Sequence, residues 1–233
     1  MPDRYAIYYA PSVYSDLWQR ASLWLGRDAA AGPTEPTTIG GLDAASRNAI
    51  TPSANRYGFH ATIKAPMALA SDQSADSLDA ALSRFAADTA PVSLGRLELR
   101  SLEEGFLALT PVVQSPELTA FAGEVVAAFD PFRAPLSPED RARRLKSPLT
   151  PRQIELLDLY GYPYVLEQFL LHMTLTDRLV ADMQRPVMAA AAEWFAPALA
   201  DEVMLDRLVL FHEPAAGGPF VRLADYRLRK VLS

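Results

Sequence analysis

The chain reads Phe59-His-Ala-Thr-Ile-Lys64 at one point and Leu171-His-Met-Thr-Leu-Thr176 much further on. In both stretches apolar residues alternate with polar ones, a pattern typical of a strand with one buried face. Because successive side chains of a strand point to opposite faces, each stretch buries its apolar residues and presents a histidine and a threonine on the other face. We therefore predict strands over residues 59–64 and 169–176.

The two stretches begin two similar series of elements. Each His-x-Thr strand is followed by a helical pattern and two further strands, and the offset between the series changes by only a few residues. The matching segments are His60-Ala-Thr62 with His172-Met-Thr174, Arg96-Leu-Glu-Leu99 with Arg207-Leu-Val-Leu210, and Phe106-Leu-Ala-Leu109 with Phe220-Val-Arg-Leu223. This repeat predicts a single α+β domain over 1–233, with two lobes related by a pseudo-twofold axis and built from repeat units of about 56–130 and 165–228.

Two other segments differ from the repeat in composition. Residues 131–164 are rich in proline, and the part from Arg141 to Arg152 contains five cations and no acid. We interpret 131–164 as an insertion or lid, whose cations form a solvated surface or offer ligands to a phosphate. Residues 27–55 are rich in small and turn-forming residues without periodicity, which predicts a long loop.

The overall composition excludes several classes of protein. The 233 residues include no cysteine and three histidines, and the formal net charge is −6. Without cysteine there is no disulfide framework, no thiolate nucleophile and no zinc site of the cysteine type. The acidic balance argues against long nucleic acid as a partner. No signal peptide or membrane-spanning stretch is recognisable, so we expect a cytoplasmic protein without a membrane partner.

The repeated histidines indicate a particular chemistry if their two faces meet in one cleft. His60 and His172 could then act as a general base and a general acid on the same substrate. A phosphodiester needs such a pair, because the attacking and leaving oxygens lie on opposite sides of phosphorus. The hydroxyls of Thr62 and Thr174 could donate hydrogen bonds to the non-bridging oxygens, and Lys64 could add a cation. This chemistry requires no metal and no cofactor.

The motifs also resemble a known family. His60-Ala-Thr62-Ile and His172-Met-Thr174-Leu are similar to the paired motifs of the 2H phosphoesterase superfamily. Longer segments resemble a bacterial branch of that superfamily, the DUF1045 type, which is commonly encoded with phosphonate-utilisation operons. These segments are Arg4-Tyr-Ala-Ile-Tyr8, Trp24-Leu-Gly-Arg-Asp28, Arg56-Tyr-Gly-Phe-His-Ala-Thr-Ile-Lys64, Asp130-Pro-Phe-Arg-Ala-Pro135 and Gly161-Tyr-Pro-Tyr164.

The resemblance covers nearly the whole chain and has consequences for both fold and site. It implies a bilobal fold in which two antiparallel sheets face a central cleft with helices outside. It also implies metal-independent processing of 2′,3′-cyclic or related phosphodiesters, with the acid–base roles carried by His60 and His172. The predicted substrate contacts are Thr62, Thr174, Lys64, Thr176 and Arg133.

We therefore predict a phosphodiesterase that opens a small cyclic phosphate or a nucleotide-like diester, with phosphonate metabolism as the context that the resemblance implies. A small phosphorylated substrate is the expected partner. Two alternatives stay open: a module that binds a phosphorylated ligand without turnover, and an RNA-end-processing or ligase-like member of the same superfamily. His212 lacks a threonine two residues on, so we assign it a structural or rim role, and Tyr8 is either core or cleft wall.

Overall fold

The computed structural model describes residues 3–102, 105–214 and 217–229. The sequence also predicts turns at 103–105 and 215–219, from Glu103-Glu104-Gly105 and Ala215-Ala-Gly-Gly-Pro219, and both lie partly outside the described residues. The strands are β1 (Arg4–Tyr9), β2 (Arg27–Asp28), β3 (Gly32–Pro33), β4 (Ala61–Met67), β5 (Val92–Gly95), β6 (Leu97–Ser101), β7 (Leu107–Pro111), β8 (Met173–Thr174), β9 (Val203–Leu205), β10 (Arg207–Glu213) and β11 (Val221–Arg227). The α-helices are α1 (Asp16–Leu25), α2 (Ala44–Ile50), α3 (Pro52–Tyr57), α4 (Ala75–Ala87), α5 (Pro116–Ala128), α6 (Pro138–Arg144), α7 (Pro151–Tyr160) and α8 (Ala181–Phe195).

A seven-stranded antiparallel sheet organises the molecule. Its strand order is β11-β10-β1-β4-β8-β7-β6, and two small sheets pair β2 with β3 and β5 with β9. The α+β class is thus confirmed. The expectation of two separate sheets is corrected, because β4 and β8 pair with each other and join the two groups of strands into one sheet.

The sheet interleaves the two halves of the chain. The hairpin β6–β7 follows β4 in sequence, yet β7 pairs with β8. The hairpin β10–β11 follows β8, yet β10 pairs with β1, which in turn pairs with β4. In the strand order, β4 therefore lies towards the edge formed by the β10–β11 hairpin, and β8 lies towards the edge formed by the β6–β7 hairpin. Each hairpin comes from the other half of the chain.

The strands that carry the motifs bury the face that the alternation predicts. Phe59, Ala61 and Ile63 are almost fully buried, and so are the apolar residues on both sides of His172. The second motif strand is much shorter than predicted, however. Only Met173–Thr174 form β8. Met173 pairs with Ala61 of β4, and both residues of β8 pair with β7.

The insertion is helical and its ends are capped by local sequence. The segment Thr150-Pro-Arg-Gln153 has the sequence of a capping box, and Thr150 and Gln153 form one at the start of α7. Gly161 ends this helix in the left-handed conformation. Ser137 caps α6, whose first residue is a proline that needs no hydrogen-bond partner there. The segment 131–164 thus forms two short helices connected by an extended link.

Two short helices also occupy the segment that was predicted to be a loop. Asp43 caps α2 by accepting a hydrogen bond from the Ser46 amide, and Pro52 begins α3. These helices are only seven and six residues long, which is too short to produce a readable apolar period. Among the described residues, no helix combines the length and the apolar character needed to cross a membrane.

Candidate active site

The register of the two central strands brings the two motifs side by side. β4 and β8 pair antiparallel at the middle residues of the two His-x-Thr motifs. In an antiparallel pair the residues on either side of such a position also face each other across the ladder. His60 therefore lies beside Thr174, and Thr62 lies beside His172. All four side chains line one cavity of about 230 Å³, which we call the histidine cavity.

The rest of the histidine cavity is aromatic and cationic. Its other large polar lining residues are Arg4, Tyr8, Tyr57, Arg144 and Tyr162. The ring of Tyr8 is fully buried and stacks on the imidazole of His60, with 3.8 Å between ring centroids. Such a cavity suits a small anion that also carries a flat or apolar part.

Both imidazoles are held in the same way. Nδ1 of His60 lies 2.8 Å from the carbonyl oxygen of Gly58, and Nδ1 of His172 lies 2.9 Å from that of Leu170. A carbonyl oxygen can only accept, so each Nδ1 carries the proton and each Nε2 keeps its lone pair when the ring is neutral. Nε2 of His60 lies 3.2 Å from the hydroxyl oxygen of Thr62. Both rings are therefore oriented with a basic nitrogen away from the backbone.

Gly58 is needed for this orientation. Its φ of +77° lies in the region that side chains rarely adopt, and a Cβ built there would lie 2.7 Å from the Cβ of Ala29. A larger residue would therefore move the carbonyl group that holds the His60 ring. The glycine in Arg56-Tyr-Gly-Phe-His60 thus has a direct link to the site.

Burial makes His60 a neutral base at physiological pH. Removal from water lowers the pKa of His60 from 6.5 to about 4, although the bond to the Gly58 carbonyl acts in the opposite direction. The charge of His172 lowers the pKa of His60 further. The two imidazoles line the same cavity, which accounts for this second effect.

We expect the His60 imidazole to titrate near pH 4 rather than near 6.5. The folded chain then binds this proton less readily than the unfolded chain, so the stability that neutral His60 contributes is present above about pH 6.5 and is lost as the pH falls towards 4. A proton NMR titration of the imidazole signals, with His60→Gln to assign the resonance, measures this pKa. A midpoint at the ordinary value would contradict the predicted burial effect.

Lys64 does not reach the histidine cavity, contrary to the prediction. Between Thr62 and Lys64, two residues of β4 pass against one residue of β1, which is a β-bulge. The extra residue reverses the alternation, so Lys64 is 3% exposed and lies among buried groups. Its Nζ donates to the carbonyl oxygen of Val126 and to Oδ1 of Asp130, both at 3.1 Å.

Thr176 and Arg133 also have hydrogen-bond partners outside the histidine cavity. The Thr176 side chain is fully buried, and its hydroxyl oxygen accepts a hydrogen bond from the Leu107 amide at 2.9 Å. Arg133 donates to both carboxylate oxygens of Asp130 and to the carbonyl oxygen of Leu159. Thr62 and Thr174 therefore line the histidine cavity, whereas Lys64, Thr176 and Arg133 do not. Thr176 lines a neighbouring cavity together with His60 and Thr174.

Arg4 lines the histidine cavity, although it was not predicted as a site residue. Arg4 gains this place because β1 pairs with β4, and nothing in the local sequence predicts that pairing. Its guanidinium pairs with Glu213, a fully buried carboxylate that also binds Arg56. The third histidine, His212, stacks on Tyr5 and contacts Asp3 outside the cavity, as its assigned rim role implies.

The described residues contain no group of three or more histidine, aspartate or glutamate side chains close enough to hold a metal ion. The fold and the cavity together define an α+β protein with a paired-histidine site. Residues 62–221 match the model of a family described as a protein of unknown function (DUF1045), and the chain belongs to this family. The expected family is thus confirmed, and its matched segment begins just after His60.

Two curated relatives share much of the sequence. Ribose 1,5-bisphosphate phosphokinase PhnN of Janthinobacterium sp. (strain Marseille) is 37% identical over 223 residues, which are 94% of this chain and 49% of that protein. The protein of the same name from Laribacter hongkongensis (strain HLHK9) is 37% identical over 218 residues, which are 93% of this chain and 50% of that protein. The chain spans about half the length of these relatives. A solved structure described as a phosphoesterase matches 98% of this chain and 100% of its own, with 12% identity and a TM-score of 0.45.

Proposed function

We propose that the protein is a metal-independent phosphodiesterase of the 2H type, which hydrolyses a small cyclic phosphate or a nucleotide-like phosphodiester. The observation that carries this proposal is the arrangement of the two motifs across β4 and β8. Two imidazoles with the same Nδ1 bond and two threonine hydroxyls alternate around one cavity. The same arrangement supports a pseudo-twofold axis through the middle of the β4–β8 pair, and with it the bilobal repeat.

The chemistry follows from the state of the imidazoles. Neutral His60 removes a proton from water through Nε2, and the water oxygen forms a new bond to phosphorus. His172 donates a proton to the leaving oxygen as its bond to phosphorus breaks, so a cyclic diester becomes a phosphate monoester with a free hydroxyl. The Thr174 hydroxyl donates to a non-bridging oxygen, where negative charge increases in the transition state. The Thr62 hydroxyl turns away from Nε2 of His60 to donate in the same way, which also frees Nε2 to accept the proton of water.

The size and lining of the cavity support a small substrate with a sugar or a base. The rings of Tyr8, Tyr57 and Tyr162 give flat apolar walls, while two arginines attract an anion. The curated relatives are named for an enzyme that acts on a ribose bisphosphate. We therefore propose a cyclic ribose phosphate or a related nucleotide as the substrate class, in phosphonate metabolism.

The proposal is tested by hydrolysis of a panel of cyclic phosphodiesters in the presence of EDTA. We expect a monoester product and a rate that chelation leaves unchanged. Loss of activity in EDTA would contradict the metal-independent mechanism. Tight binding of a cyclic nucleotide without turnover would favour the binding module, and cleavage restricted to RNA ends would favour the RNA-processing alternative.

A further inference from the structure

A second cavity adjoins the histidine cavity. It has a volume of about 100 Å³ and shares Arg4, Pro66 and Arg144 with its neighbour. Arg133, Arg143 and Asp140 are the other charged residues of its lining. We call it the arginine cavity. Arg4 and Arg144 thus lie between the proposed reaction site and the arginine cavity. We call their position the arginine junction.

Arg144 has an incomplete set of partners. Its Nε is buried and has no hydrogen-bond partner, and among the described residues no carboxylate lies within ion-pair distance of its guanidinium. The guanidinium lies over the ring of Tyr162, with 5.1 Å to the centroid. Burial lowers the pKa of Arg144, but the ordinary pKa of an arginine is so high that the guanidinium stays charged at neutral pH. Arg144 as a whole is half-buried, but a buried donor atom of a cation that has no partner is costly unless an anion binds there.

The neighbouring ion pairs do not neutralise the positive charge of the arginine cavity. Arg4 shares the single carboxylate of Glu213 with Arg56, so two cations face one anion. Arg133 shares the single carboxylate of Asp130 with Lys64 in the same way. Asp140 also lines the arginine cavity and pairs with Arg143. The walls still carry net positive charge, because Arg144 has no ion-pair partner among the described residues and the other two carboxylates are each shared by two cations.

The arginine cavity lies some distance along β1 from the two histidines. On β1, Tyr8 faces Thr62 of β4, whereas Tyr5 faces Met67 at the far end of that strand. Arg4 is four residues from Tyr8, which corresponds to roughly 13 Å along a strand. A phosphate held between the histidines and threonines therefore leaves the arginine junction free for a second group of the same molecule.

We propose that Arg144 and Arg4 form a subsite for a second anionic group of the substrate, in particular a phosphate monoester. The inference rests on the proposed function and narrows its substrate class to phosphodiesters that carry a separate phosphate several ångströms from the reacting phosphorus. It also gives the insertion a role, because α6 ends at Arg144 and delivers this residue to the junction. Guanidinium groups suit the site, since their fixed donors match the oxygens of a phosphate.

The test compares the binding of two product-like probes, adenosine 2′-phosphate and adenosine 2′,5′-bisphosphate, by titration calorimetry. Neither probe is a cyclic diester, so no turnover disturbs the measurement. We expect the bisphosphate to bind at least about tenfold more tightly, as charge-assisted hydrogen bonds to one extra phosphate imply. Arg144→Gln should abolish that gain and Arg144→Lys should keep part of it. Lys146→Gln, which removes an exposed cation from the same insertion, should leave it unchanged.

Equal affinity for the two probes in the unmodified protein would overturn the subsite. So would a gain that persists in Arg144→Gln. Because binding is measured without turnover, the result is independent of whether cyclic diesters are hydrolysed. A subsite with no hydrolysis would refute the proposed function alone, and hydrolysis with no preference for a second phosphate would refute the subsite alone.

Discussion

Replacing either His60 or His172 by alanine is expected to lower kcat for hydrolysis of a cyclic phosphodiester by at least ~100-fold. Each imidazole handles a different proton in the proposed reaction, so the remaining histidine does not substitute for the missing one. The two hydroxyls and the arginines stay in place in each variant, which should leave substrate binding largely intact. The expected signature is therefore a loss in kcat with little change in KM.

His212→Ala is the matched control for these variants. It removes an imidazole of the same type from the same sheet, but His212 lies against Tyr5 and Asp3 outside the histidine cavity. We expect steady-state kinetics of this variant to equal those of the unmodified protein. Full activity in His60→Ala or His172→Ala, with folding verified by circular dichroism, would refute the proposed site.

Replacing Asp130 by asparagine is expected to lower the free energy of unfolding by about 1–3 kcal/mol, the usual cost of leaving a buried polar group without its partner. The carboxylate of Asp130 binds both Lys64 and Arg133. Burial alone raises the pKa of Asp130, but these two cations outweigh it and hold the pKa below its usual value. Removing the charge leaves the buried ammonium group of Lys64 without its carboxylate partner. Urea unfolding followed by circular dichroism measures the change.

Lys64→Met separates this structural role from the predicted contact with substrate. It removes the buried cation, fills similar volume with an apolar chain and leaves Asp130 paired with Arg133. We expect a smaller loss of stability than in Asp130→Asn and unchanged kcat/KM for the folded protein. A stable Lys64→Met protein with strongly reduced kcat would show instead that Lys64 acts on the substrate.

The part of the site that could be predicted from the sequence is the part that depends on strand alternation and repetition. The inward direction of Ala61 and the outward direction of Thr62 follow from a period of two, and the repeat then implies the same for the second motif. The prediction of Lys64 failed because one extra residue on β4 reverses that period. A bulge depends on pairing with a neighbouring strand, which a local pattern does not contain.

The residues that were missed depend on contacts between distant parts of the chain. Arg4 is brought to the cavity by the pairing of β1 with β4, and Glu213 reaches Arg4 through the pairing of β10 with β1. The basic run of the insertion was recognised in the sequence. Its period does not single out Arg144, however, because α6 has no buried residue and only the position of the helix in the folded chain brings Arg144 to both cavities.

The interleaved sheet has a consequence for how the protein folds. β8 pairs with β4 and β7 from the first half of the chain, and β1 gains its second neighbour only when β10 from the second half has arrived, so neither half can complete the seven-stranded sheet alone. Contacts between residues so far apart in sequence are slow to form, because a large loop must close before they stabilise anything. In a refolding experiment, we therefore expect enzymatic activity to return with the last phase. A fragment that ends before β10 should be inactive although both histidine motifs are present.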